Sequence, residues 1–188
     1  MKLLLIVLIT ITLTGCSGES QPNNSAPEIS TSLPNSFFTT DRPSNVKDLI
    51  EIKKTAKVGD DVTFLARIGG RKNASFVSSA AMMIVADPGL RSCELMIEKD
   101  HCATPEDYCC EDKDQVKQSL ATIRFMDDED EVYPFSVEGT HDLETLKFIV
   151  VQGTVIEFND YGLFMINANK VWVGGKPSYG HERDGSEE

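Results

Sequence analysis

Residues Phe148–Phe158 read FIVVQGTVIEF, and after Asn159-Asp160-Tyr161-Gly162 the chain continues LFMINANKVWV from Leu163 to Val173. The first run is apolar enough to lie centrally in a sheet. Asn, Asp and Gly together are a strong turn signal, so the two runs read as paired strands. Upstream, Val58-Gly59-Asp60-Asp61 turns the chain into VTFLARIGG. There Val62, Phe64, Ala66 and Ile68 alternate with Thr63, Leu65 and Arg67, the period of two that marks a strand, and Gly69-Gly70 stops it. A second strand covers about Phe76 to Ala86 and ends at Asp87-Pro88-Gly89. A third runs from Leu120 to Met126. Between it and the hairpin, residues His141 to Lys147 predict a short helical turn with Leu143 and Leu146 facing one way.

Strand, strand, strand, short helix, hairpin is the order of an OB-fold. This is an all-β, five-stranded Greek-key barrel with a helix between strands three and four. The text FIVVQGTVIEF…GLFMINANKVWV resembles the last two strands of many bacterial OB-like domains, which read V-x-V-x-G-x-V, then a hairpin, then φ-x-φ-x-A. The resemblance covers about residues 56–173 of a domain placed at 46–173. It implies strong coiling of strand four at Gly153 and close packing at Ala168. A different small β-barrel or a half-open sheet is the alternative. IRFMDD (123–128) with IVVQGTV (149–155) is also similar to the membrane-tethered haem chaperones of cytochrome c maturation. Those attach haem through an H-x-x-x-Y motif past the barrel. Here the tail VGGKPSYGHERDG has Tyr179 and His181 in the wrong order and spacing, and no cofactor is expected.

The N-terminus reads MKLLLIVLITITLTGC. Lys2 supplies a positive start, and the apolar run from Leu3 to Leu13 is about a dozen residues, short of the roughly 20 that a spanning helix needs. Leu13-Thr14-Gly15-Cys16 resembles the lipobox of bacterial lipoproteins. It implies a signal peptide at 1–15 and a Cys16 bearing acyl chains such as palmitate, an anchor in the cell-envelope membrane. Ser17 in place of Asp points toward the outer membrane. Residues 16–45 are rich in Ser, Asn, Pro and Thr and read as a disordered tether, holding the domain about 30 Å from the bilayer. Residues 174–188 read as a flexible tail.

Removing residues 1–15 takes away Lys2, so the formal charge goes from −12 to −13. Acidity of this order repels phosphate backbones, and nucleic acid is a poor partner. A single core-forming domain fits the remaining length, read as a monomer.

Between strands two and three the insertion 88–119 carries Cys93, Cys102, Cys109 and Cys110, an even set once Cys16 is assigned to lipid. In an oxidising envelope this reads as two disulfides. Neighbouring Cys109 and Cys110 are poorly placed to bond each other, which leaves Cys93–Cys109 with Cys102–Cys110, or Cys93–Cys110 with Cys102–Cys109. The competing reading is a zinc or copper(I) site with His101 as a spare ligand. Against it stands C-x₈-C-x₆-C-C, which lacks the spaced pairs of zinc motifs. A redox-active thiol pair is a third reading, without the C-x-x-C of thioredoxins. Thr104-Pro105-Glu106-Asp107 resembles a helix start and would put Tyr108, Cys109 and Cys110 on a short helix.

The remaining candidates are weaker. Asp127 to Glu131 is a run of five acids without the spacing or Gly of a calcium loop, so a solvated loop is expected. Gly69, Gly70, Arg71 and Lys72 form a small basic loop where OB-folds often grip ligands. Arg67 and Arg124, on the polar sides of their strands, could complete an anion site there. No catalytic motif or paired acid–base group is present, so the protein is expected not to be an enzyme. Two functions stay open: a tethered barrel binding an envelope protein, peptide or glycan, or a metal carrier or sensor using the four insertion cysteines.

Overall fold

The computed structural model describes residues 31–70, 75–93 and 107–176. The lipobox with Cys16, the loop residues Arg71 and Lys72, the insertion residues His101, Cys102 and Thr104, and Tyr179 and His181 of the tail lie outside the described residues. Seven strands and two helices are described: β1 (Phe38–Thr39), β2 (Lys47–Asp48), α1 (Leu49–Thr55), β3 (Asp61–Ile68), β4 (Met82–Ala86), α2 (Lys113–Ser119), β5 (Leu120–Arg124), β6 (Phe148–Phe158) and β7 (Phe164–Val173). Among these residues no helix is long and apolar enough to cross a membrane.

Five strands close a barrel. β3 pairs antiparallel with β4 and with β6, β4 with β5, and β6 with β7. The parallel pairing of β5 with β7 completes the ring. This is the OB-like, all-β barrel expected from the strand order. The alternation in β3 fills it, with Val62, Phe64, Ala66 and Ile68 buried together with Met83, Ile123, Val151 and Ile166.

β6 is the longest barrel strand and pairs along most of its length on both edges. Gly153 stands opposite Ala168, and the register with β7 shifts there and again between Val155 and Glu157. A Cβ on Gly153 would lie 2.3 Å from the Asn167 carbonyl oxygen and 2.7 Å from Ile166 Cγ2. Only a residue without a side chain lets the two backbones come this close.

Several local expectations are revised. The helix expected over 141–147 is a single 3₁₀ turn, Thr140–Asp142. His141 and Asp142 both have positive φ, which ends the helical run, while Leu143 still reaches the core at 0% exposure. The second strand is shorter than 76–86: Val77 N donates to Met82 O, so Ser78, Ser79 and Ala80 form a turn, and Phe76 keeps only a bridge to Met83. The third ends at Arg124, and Met126 bridges Val132.

The folded unit also begins before residue 46. Leu33 is buried, β1 adds in parallel to β7 through Phe38 and Val171, and Lys170 Nζ donates to the Ser36 carbonyl. Phe37 meets Phe125 edge-on at 5.3 Å, and Phe38 stacks on His141 at 3.9 Å. The Phe37-Phe38 pair is what docks the described end of the tether. Two aromatic rings supply enough apolar area to offset the ordering of a short segment.

Gly153→Ala is expected to destabilise the barrel by about 1–3 kcal/mol, the usual cost of overpacking. Urea denaturation should show a lower midpoint with an unchanged slope.

Candidate functional site

The described ends of the insertion fold back on the outer face of the barrel. Alternation places Arg67 outward on β3, as the sequence implies, but that face is covered. Arg67 is 1% exposed and is not part of a surface anion site. Its Nε and Nη2 donate to the Tyr108 hydroxyl at 3.2 and 3.0 Å, and Nη2 also donates to the Leu90 carbonyl. Ala86, Leu90 and Tyr108 form a small second core here, with Val116 and Leu120 packed against it. Burial pushes the Tyr108 phenol up and outweighs the Arg67 guanidinium, which pulls the other way. The phenol therefore stays protonated while its oxygen accepts from the guanidinium.

Arg124 is also engaged elsewhere, its Nε and Nη2 donating to Asn167 Oδ1 across the β5–β7 seam. Gly69 and Gly70 are buried at positive φ, and a Cβ on Gly70 would meet Leu120 Cδ2 at 2.5 Å. Arg67, Arg124, Gly69 and Gly70 are thus structural, and the expected basic binding loop is not assembled by them.

The insertion does bring its described cysteines together. Cys93 N donates to the Asp107 carbonyl at 2.8 Å, Tyr108 N to Asp107 Oδ1 at 2.7 Å, and Arg91 pairs with Glu111 at 3.2 Å. The first and last of these zip residues 91–93 against 107–111. The sulfurs of Cys93, Cys109 and Cys110 then converge: Cys93–Cys109 is 3.4 Å, Cys93–Cys110 3.7 Å and Cys109–Cys110 4.0 Å. No S–S bond is formed among these described cysteines, since a disulfide needs about 2.05 Å. Cys93 is buried, whereas Cys109 and Cys110 are exposed. Tyr108, Cys109 and Cys110 lie in a turn closed by Glu111 N on Tyr108 O, not on the expected helix. The helix starts later, at Lys113, where Asp112 caps the Asp114 and Gln115 N–H groups.

The five-acid run folds onto its own first member, with Asp127 Oδ1 accepting from Glu129 N and Glu131 N. This is the solvated loop that was expected.

A second concavity, not anticipated from the sequence, lies where α1, α2 and the β6–β7 turn meet. It is a cleft of about 270 Å³. Lys53 lies at its base, 8% exposed, with Nζ donating to the Lys117 and Leu120 carbonyls. Burial lowers its ammonium pKa to about 8. α1 is held in place by Asp87, whose Oδ2 accepts from Ile50 N while Oδ1 accepts from Gly89 N. The available signals were Asp48 before the helix and the Leu49/Ile52 spacing.

Tyr108→Phe leaves the buried Arg67 Nε–H without its acceptor and is expected to cost about 1–3 kcal/mol in chemical denaturation. Lys53 gives a pH signature. Between about pH 8 and its unfolded value the unfolded chain binds the proton and the folded chain does not, so stability rises with pH in that window. The stability of the native chain relative to Lys53→Met should therefore increase from pH 8 to pH 10. A flat difference would refute the lowered value.

No family model matches the chain, and no curated protein or solved structure matches it either.

Proposed function

We propose that the chain is a non-enzymatic, lipid-anchored envelope protein whose OB-like barrel carries a thiolate metal centre at Cys93, Cys109 and Cys110. Its role is that of a zinc or copper(I) carrier or sensor. The observation that carries this reading is the spacing of the three sulfurs, 3.4, 3.7 and 4.0 Å. Around a tetrahedral ion with bonds of about 2.3 Å, neighbouring sulfurs stand about 3.8 Å apart. An ion about 2.3 Å from all three would sit about 0.8 Å out of their plane, as at the apex of a tetrahedral site, with the fourth vertex left for a further donor. Thiolates select soft ions, and the exposure of Cys109 and Cys110 gives the ion a way in. The anchoring half of the proposal rests on the lipobox resemblance at Leu13–Cys16.

A second reading is favoured by the shortest of these separations. Cys93 and Cys109 are the closest pair, and in an oxidising compartment they would pair as a disulfide. The insertion would then be a staple, and the barrel a module for a protein, peptide or glycan partner.

Metal analysis of the mature chain purified anaerobically, with thiol titration after denaturation, separates the two. The metal reading expects one tightly held zinc or copper ion per chain, thiols that react once the chain is unfolded, and a thiolate charge-transfer band on cobalt(II) substitution. Cys109→Ser should lower affinity by at least about tenfold. Absence of both metal and reactive thiols would establish the disulfide reading, and reactive thiols that bind neither zinc nor copper would overturn the metal centre outright.

A further inference from the structure

The cleft between α1, α2 and the β6–β7 turn carries a charge opposite to that of the chain. The protein as a whole is −12, yet three lysines, Lys53, Lys54 and Lys117, line this one concavity. Ion pairs among the described residues join Arg91 to Glu111, Lys147 to Asp142 and Lys176 to Glu144. Lys54 and Lys117 take part in none of them, although Asp114 and Asp160 line the same cleft. Three lysines against two carboxylates leave the cleft formally positive, in a chain with acid to spare.

The wall is apolar on one side. Phe158 is 42% exposed and is held edge-on against Phe164 at 5.4 Å, so its ring is fixed rather than free to fold away. A small ligand that meets both walls needs an anionic group for the lysines and a ring face for Phe158. Asp114 and Asp160 add acceptors for several hydroxyl donors, of which sulfate has none and hydrogen phosphate only one or two. The volume of about 270 Å³ holds one ring of this kind, near the small end of ligand sites.

We propose that this cleft is a binding site for a sugar acid, a hydroxylated ring bearing one carboxylate. The carboxylate lies between Lys54 and Lys117, the ring lies against Phe158, and hydroxyls donate to Asp114 and Asp160. The site is independent of the cysteine cluster and goes beyond the metal reading.

Isothermal titration of the full chain with glucuronate, glucose and inorganic phosphate tests it. Glucuronate should bind saturably in the millimolar range, and glucose and phosphate each at least about tenfold more weakly. Lys54→Gln, at an exposed position, should weaken glucuronate by about tenfold without changing the urea midpoint, and Lys117→Gln should weaken it by a similar factor. Phe158→Ala should weaken it while leaving phosphate unaffected. No saturable glucuronate binding up to about 20 mM would overturn the site. Equal binding of phosphate, or binding undiminished in both lysine variants, would overturn it as well. Metal content measured on the same samples keeps this outcome separate from that of the cysteine centre.

Discussion

Everything in this domain depends on one strand serving two edges. β6 pairs with β3 on one side and β7 on the other, and without both pairings the sheet would stay open. Closing so small a ring requires strong coiling, because a flat strand cannot remain bonded to two neighbours that diverge. Gly153 supplies the coil point by letting the Asn167 carbonyl approach to where a side chain would begin. The two register shifts on β7 flank it and take up the remaining twist. The barrel interior then needs no special residue, only the alternation of β3 and the branched side chains of β6.

Closure also creates the platform on which the insertion sits. Arg67 leaves the outer face of β3 and is buried there, an arrangement tolerated because it has two acceptors, the Tyr108 hydroxyl and the Leu90 carbonyl. A buried guanidinium without acceptors would cost far more than the packing around it returns. Arg67 therefore fixes the register of residues 90 and 108 on the barrel. That register in turn sets Cys93 beside Cys109 and Cys110. The sulfur cluster thus stands next to two residues that a buried cation on the barrel wall ties down.

The barrel was legible because its signals are local and repetitive. β6 was read from the sequence with its observed bounds, and β7 to within one residue, because apolar runs broken by Asn-Asp-Tyr-Gly leave little choice. The sites were far less so. Alternation correctly pointed Arg67 outward, but nothing in VTFLARIGG says that the outward face is covered by a segment forty residues later. C-x₈-C-x₆-C-C argues against a metal site only if ligands must come in spaced pairs along the chain. Folding supplies the missing proximity through the Cys93–Asp107 and Arg91–Glu111 bonds. The docking of Phe37 and Phe38 was only faintly legible, as the one apolar spot in a polar segment, because the rings they meet at Phe125 and His141 come from far along the chain.

The insertion also explains why both candidate sites occur on the same side of the sequence. Cys109 and Cys110 lie just before Asp112, the cap of α2, and the next turns of that helix present Asp114, Lys117 and Gln118 to the cleft. Lys117 contributes twice, because its carbonyl also holds the Lys53 ammonium and its stem fills the space above Gly162. A seven-residue helix is too short to persist in isolation. α2 is ordered by what surrounds it: the Asp112 cap, Val116 against the outer core, and α1 across the cleft. An OB-like barrel with a short connection between its second and third strands would lack the sulfur cluster and the α2 wall of the cleft, Asp114, Lys117 and Gln118. The barrel's part is to hold the two ends of the insertion at a fixed separation, with α1 and the β6–β7 turn supplying the rest of the cleft.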